Sequence, residues 1–182
     1  RHVSGTLRKD IENLKLKGVF FRENLRRSYP QKEVSSHVVG ITDIDRKGIQ
    51  GSELVFDNTL QGKKGKFTGI KSSGNKKIEG NRIEPQNGKD LFLTIDIRLQ
   101  SIAFEELSKA IEETGAESGS VIIINPQSAE ILALSNYPSF NPSDRKNIND
   151  HSVFRNRATI DVFEPGSVLK PIAMSAILES KR

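Results

Sequence analysis

The hydrophobic pattern changes character near residue 90. Before it, short apolar clusters alternate with polar turns. Asp10 to Lys17 predicts a short helix with Ile11, Leu14 and Leu16 partly buried. Gly18-Val19-Phe20-Phe21 predicts a strand, and Ser36 to Thr42 another, rich in β-branched residues. Asp43 to Gly51 holds turn residues, and Glu53 to Leu60, with Leu54, Val55, Phe56 and Leu60, predicts a short helix. Over 62–90 the pattern fails. Gly, Lys, Ser and Asn dominate, Phe67, Ile70, Ile78 and Ile83 stand isolated, and the stretch predicts an exposed hairpin plus linker.

From Asp90 the pattern is that of a packed α/β layer. Leu91 to Ile95 predicts a strand. Asp96 then caps a helix whose Leu99, Ile102, Ala103, Leu107, Ala110 and Ile111 share one face, and Gly115 stops it. Gly119 to Asn125 predicts a strand whose continuous aliphatic run implies cover on both faces. Pro126 to Ala129 turns it back into Glu130 to Ser135 as an antiparallel hairpin. Tyr137 to Glu164 is a long connection containing Pro138 and Pro142, and connections of that length are usually functional or mobile. It leads into Pro165-Gly166-Ser167, after which Val168, Leu169, Ile172, Ala173, Ala176 and Ile177 predict a buried helix.

Composition narrows the chemistry. The 182 residues contain no cysteine, which excludes disulfides and thiolate metal sites, and the three histidines are scattered. No segment approaches the roughly 20 apolar residues of a membrane span. The first residue is Arg1 rather than Met, so a membrane anchor is expected upstream of the chain. The net charge of +5 is local: residues 62–90 hold eight basic and three acidic residues, and the remainder is neutral. A nucleic-acid-binding face is therefore not predicted, since the basic residues sit in a linker without interleaved aromatics.

Candidate chemistry centres on Ser167-Val168-Leu169-Lys170, an S-x-x-K motif. On a helix, positions i and i+3 lie one turn apart, which brings an amine within reach of a hydroxyl. Serine needs a base to become a nucleophile. Lysine serves as that base only when neutral, which near pH 7 requires a downward shift of roughly three units, about 4 kcal/mol. Burial and a neighbouring cation both push that way. Leu169 and Ala173 are candidates for desolvating Lys170. Arg155 and Arg157 are expected to fix the long loop, and either would also depress the Lys170 pKa if close. Gly166 allows a sharp turn before the nucleophile, and backbone N–H groups at a helix start can receive an oxyanion. Pro171 cannot donate to the Ser167 carbonyl, so a tight or kinked first turn is expected. Two further S-x-x-K matches, Ser73 to Lys76 and Ser143 to Lys146, lie in polar, turn-rich sequence and read as chance.

Glu164-Pro165-Gly166-Ser167-Val168-Leu169-Lys170-Pro171 resembles the nucleophile motif of class B penicillin-binding proteins. Asn156-Arg157-Ala158 and Asp161-Val162-Phe163 resemble that family's approach to the motif. Leu93 to Asp96 with Leu99-Gln100, Ser118 to Val121, Glu130 to Ala133 and Tyr137 to Pro142 resemble the opening of its transpeptidase domain. Arg26 to Pro30, His37 to Gly40, Asp43 to Asp45 and Gly48 to Leu54 resemble the pedestal of the division-specific FtsI type. Ala129 departs from the pattern, standing where the family usually has glycine.

The resemblance implies an α+β chain. A mixed, non-catalytic pedestal over 1–89, with a basic hairpin or linker at 62–89, precedes the truncated start of a serine β-lactamase-like transpeptidase domain over 90–182. It implies a D,D-transpeptidase that cross-links peptidoglycan stem peptides through an acyl-enzyme on Ser167, with Lys170 as general base and no cofactor. Arg27 and Glu53 are expected to pair and hold the pedestal together. Implied partners are stem peptides, β-lactam antibiotics, the septal glycosyltransferase FtsW and other divisome proteins. The implied location is the periplasmic side of an inner membrane at the septum. The family's S-x-N and K-[ST]-G motifs are expected after Arg182, so weak acylation at most is expected of these residues alone. The alternatives are a non-enzymatic divisome interaction module and a β-lactamase relative.

Overall fold

A computed structural model describes residues 3–21, 27–69, 80–146 and 148–180. The isolated Ile70 and Ile78, the Ser73 to Lys76 match, Arg26 and His2 lie outside the described residues. The architecture is α+β, and among the described residues no helix is long and apolar enough to cross a membrane.

The first helix, α1 (Gly5–Asn13), begins earlier than the apolar positions predicted. The Ser4 hydroxyl caps it by accepting from the Leu7 N–H at 3.2 Å, and Lys15 leaves the helix at φ 47°. Leu14 and Leu16 thus fall beyond it and are exposed. Gly18 to Phe21 is not a strand: among the described residues nothing pairs with it, and Phe20 is exposed.

Ser36 to Thr42 also departs from the expected strand. A 3-10 turn (Lys32–Ser35) runs into a helical turn, α2 (Ser36–Val39). β-Propensity in Val38 and Val39 is overridden by tertiary context. The Ser36 hydroxyl reaches the Glu33 carbonyl (3.2 Å) and the Ser139 hydroxyl (2.8 Å), and both Ser36 and His37 are buried. Gly40 ends the turn at φ 81°, where a Cβ would lie 1.8 Å from the Gln50 carbonyl oxygen. That close crossing positions the next segment, in which the single predicted helix is broken at Phe56 into α3 (Gly51–Val55) and α4 (Asp57–Leu60).

β1 (Lys66–Gly69) and β2 (Gly80–Ile83) form an exposed antiparallel hairpin with Lys66 opposite Ile83. Its base is closed by paired hydrogen bonds between Lys63 and Gln86 (2.8 and 2.9 Å). Leu91 to Ile95 is extended but is not a strand. It is tied to β4 (Ile131–Tyr137) by the Thr94 hydroxyl on the Ile131 carbonyl and the Asp96 N–H on the Leu132 carbonyl (2.9 Å), with no ladder.

The long helix is α5 (Ile97–Thr114). The Asp96 carboxylate accepts from the Arg98 N–H, and Gly115 closes the helix at φ 69°. Its buried face is Gln100, Ala103 and Leu107, whereas Ile102 points outward. β3 (Gly119–Ile124) pairs antiparallel with β4, Gly119 opposite Tyr137. The helix packs tightly on this hairpin, since a Cβ on Gly119 would lie 2.9 Å from a Leu107 methyl. β3 is not covered on both faces: exposure alternates along it, and Ile122 and Ile124 are exposed. β4 is the better buried strand, with Ala133, Leu134, Ser135 and Asn136 all inside.

The 138–164 connection carries a 3-10 turn (His151–Phe154) and a short helix, α6 (Arg157–Ile160). A 3-10 turn (Gly166–Leu169) then enters α7 (Lys170–Glu179). The expectation of burial fails here. No α7 residue is buried, and Val168, Leu169, Ile172 and Ile177 are exposed, because no described element supplies an apolar surface to cover them.

Candidate active site

The approach to Ser167 is built from a buried amide network. Asn136 on β4 accepts from the Ser120 hydroxyl of β3 (2.7 Å) and from the Ala158 N–H (2.8 Å), and its own amide donates to the Asn156 side chain (2.9 Å). One buried side chain thus holds the start of α6, which leads into the S-x-x-K motif, against the hairpin. Beyond it, Asp161 is flanked by Arg155 and by Arg157, whose Nη1 lies 3.3 Å from Oδ2. The two arginines therefore fix the loop onto its own carboxylate.

The same connection is pinned to the first half of the chain. His37 Nε2 lies 2.8 Å from the Val153 carbonyl, the Gln50 amide donates to the Phe154 carbonyl, and the Ser139 hydroxyl donates to the Glu33 carbonyl (2.8 Å). Phe140 is buried edge-on against the His37 ring. Gln100 completes the joint. Its amide donates to the Val34 (2.7 Å) and Leu134 (2.9 Å) carbonyls and the Ser135 hydroxyl (2.9 Å), while its oxygen accepts from the Leu134 N–H (2.8 Å). A polar residue on an otherwise apolar helical stripe was the only signal for Gln100. For Asn136, adjacent polar residues within a strand gave none of its partners.

At the motif itself, Gly166 adopts φ 52°, and a Cβ there would meet nothing within 4 Å. Its requirement is conformational rather than steric. The Val168 N–H donates to the Pro165 carbonyl (3.0 Å), and the Lys170 N–H donates to the Ser167 carbonyl. The tight first turn that Pro171 demands is the 3-10 turn observed here, with Pro171 in the first turn of α7. Ser167 lies within this turn, and Lys170, three residues on, is the first residue of α7. Both are exposed, and no hydrogen bond joins their side chains. Ser143 to Lys146 lies in an exposed loop, where i and i+3 do not share a helical face.

Arg27 and Glu53 meet through two contacts, Nε to Oε1 at 2.9 Å and Nη2 to Oε2 at 3.0 Å, with the Glu53 side chain 8% exposed. The pair lines a cavity of about 410 Å³ with Ser52, Leu60, Lys89 and Leu93. It lies in the first half and has no contact with the Ser167 turn.

Two family models match the chain in succession. Residues 6–93 match the penicillin-binding protein dimerisation domain, and residues 119–182 match the penicillin binding protein transpeptidase domain. A probable peptidoglycan D,D-transpeptidase, PenA of Neisseria gonorrhoeae, is 35% identical over 189 aligned positions, covering 99% of this chain and 32% of that protein. The peptidoglycan D,D-transpeptidase FtsI of Escherichia coli is 38% identical over 180 positions, covering 98% of this chain and 30% of that protein. Among solved structures, penicillin binding protein 3 of Mycobacterium tuberculosis in complex with aztreonam superposes with a TM-score of 0.70 at 29% identity, over 86% of this chain and 32% of that one. The chain spans about a third of the length of the curated relatives it matches. Two consecutive domain matches in the order found here, near-complete alignment to D,D-transpeptidases and a common fold lead to one conclusion: the chain belongs to the penicillin-binding protein family, with a dimerisation-domain region followed by the start of a transpeptidase domain.

Proposed function

We propose that this chain carries the nucleophile end of a septal peptidoglycan D,D-transpeptidase. The observation that carries the reading is the Gly166 to Lys170 turn. A left-handed glycine, a 3-10 turn and a helix start present Ser167 and Lys170 on one tight turn within the region matched by the transpeptidase family. In this reading the Ser167 hydroxyl attacks the penultimate D-alanyl carbonyl of a stem peptide while the Lys170 amine takes its proton. The tetrahedral oxyanion is received by backbone N–H groups. The Val168 N–H is already used by Pro165, which leaves the Ser167 N–H as the donor on this turn. Collapse expels D-alanine with the proton returned from Lys170. The acyl group then passes to an acceptor amine on a neighbouring strand. β-Lactams acylate the same oxygen.

Lys170 takes that proton only as a neutral amine, a form that burial and a neighbouring cation favour. Its exposure here means that other residues supply the burial, and the 182 residues by themselves acylate slowly at most. The protein acts at the division septum, on the periplasmic side of the inner membrane. The pedestal over 1–89 faces FtsW and other divisome partners, and 90–182 begins the catalytic domain.

The test is labelling of the full-length protein with a fluorescent penicillin, read by gel and intact mass. Covalent labelling of wild type and none of Ser167→Ala is the expected result. Undiminished labelling of that variant refutes the assignment of Ser167.

A further inference from the structure

We propose that the base of the hairpin in the first half is a binding site for a phosphate-bearing anion, separate from the Ser167 turn. A cavity of about 490 Å³ lies there, lined by Arg27, Asp45, Arg46, Lys63, Lys64 and neighbouring backbone of 60–62 and 85–88. That size takes a small phosphorylated molecule or a headgroup. Arg27 is already neutralised by Glu53. Arg46, Lys63 and Lys64 have no ion-pair partner among the described residues, and the one acid lining the cavity with them is Asp45. Counted over the described residues, two positive charges are therefore left uncompensated in one concave place.

The cations come from separate segments, each tethered. Arg46 sits at φ 70°, in a turn closed by Asp43: its own N–H donates to the Asp43 carbonyl (3.2 Å), and the Lys47 N–H donates to the Asp43 carboxylate (2.8 Å). Gln61 donates to the Arg46 carbonyl (3.3 Å) and to Asp57 (3.1 Å), tying that turn to the hairpin base. Lys63 and Lys64 follow a backbone crossing so close that a Cβ on Gly88 would lie 2.0 Å from the Leu60 carbonyl oxygen. A non-glycine residue held in the left-handed region costs energy and persists only where its surroundings enforce it. Three cations besides Arg27 thus line one cavity with a single acid among them, a charge balance that suits an anion with phosphate oxygens.

The full-length protein, fluorescently labelled, is titrated at about 0.15 M salt with inorganic pyrophosphate and, separately, with phosphatidylglycerol and phosphatidylcholine vesicles. Binding of pyrophosphate, or of phosphatidylglycerol but not phosphatidylcholine, is expected. Lys63→Gln/Lys64→Gln should weaken it roughly tenfold or more, and Arg46→Gln several-fold. Lys9→Gln/Lys15→Gln, which removes as much charge near α1, should leave it unchanged. Binding of vesicles alone assigns the phosphate to a bilayer headgroup, and binding of pyrophosphate assigns it to a soluble or exposed phosphate group. The proposal is overturned if neither probe binds, or if the α1 control weakens binding as much as the cavity variants do. Circular dichroism of each variant separates loss of the site from loss of the fold.

Discussion

His37 Nε2 and the Val153 carbonyl oxygen stand 2.8 Å apart although 116 residues separate them in the chain. A carbonyl only accepts, so Nε2 carries the proton, and Nδ1 faces the Ser36 hydroxyl at 3.4 Å. This contact joins α2 to the connection that ends at Ser167. Burial is the main influence on the ring and lowers its pKa from 6.5. The bond to Val153 opposes that shift, and the nearby Arg157 charge adds to it. A lowered pKa means that the unfolded chain binds the proton more readily than the folded one. The stabilisation by neutral His37 is therefore fully present above about pH 6.5 and is lost as pH falls toward the lower folded value. Thermal melts at pH 7.5 and 5.5 should show a drop in midpoint on acidification, and His37→Gln should reduce that drop. An identical acid drop in His37→Gln would count against the assignment.

Gln100 has four hydrogen-bond partners at a fully buried position: the two hydrogens of its amide are shared among three acceptors, and its oxygen accepts from the Leu134 N–H. Gln100→Leu keeps the volume and removes all four, stranding the Leu134 N–H and the Val34 carbonyl. The expected cost is about 2–4 kcal/mol, measured by denaturant unfolding. A cost under about 1 kcal/mol would show that water replaces the amide.

The Arg27–Glu53 pair offers a test of bidentate geometry. Arg27→Ala leaves a carboxylate that is 8% exposed without its partner. With the arginine side chain 41% exposed, screening limits the expected loss to about 1–3 kcal/mol. Arg27→Lys, which cannot make both contacts at once, should recover only part of that loss. Full recovery by lysine would mean that charge alone matters there.

Ala129 occupies φ 60° in the turn between β3 and β4, with its N–H on the Asn125 carbonyl (2.8 Å). A left-handed alanine costs roughly 1–2 kcal/mol, and the extra chain entropy of glycine returns about 0.4–1 kcal/mol of that. Ala129→Gly should therefore raise stability by about 0.5–1 kcal/mol, seen as a higher melting midpoint. A lower midpoint would mean that the alanine methyl makes a contact worth more than its strain.

Much of this fold was legible where local chemistry and tertiary packing agree. Asp96 and Gly115 mark the ends of α5 because a cap and a left-handed stop act within a few residues. The β3–β4 hairpin followed from two apolar runs around a turn. The turn at Ser167 followed from Gly166 and Pro171, whose backbone restrictions operate whatever surrounds them. The misreadings share a different cause. Val38 and Val39 favour a strand, yet Ser36 and His37 are worth more buried against residues a hundred positions away, and that settles a helical turn. Leu91 to Ile95 has strand composition but meets its neighbour through side-chain and single backbone bonds, so no ladder forms.

By itself, then, the sequence determined the ends of α5, the β3–β4 hairpin, the S-x-x-K turn and the family, because capping, turn preference and residue spacing are short-range and survive without a partner. Tertiary structure alone decided which polar side chains became buried joints, Gln100, Asn136 and His37, and that Arg46, Lys63 and Lys64 share a cavity. Those outcomes depend on segments far apart in the chain being held a few ångströms from one another. Hydrogen-bond satisfaction and charge convergence are properties of that proximity, and no periodicity along the chain encodes them.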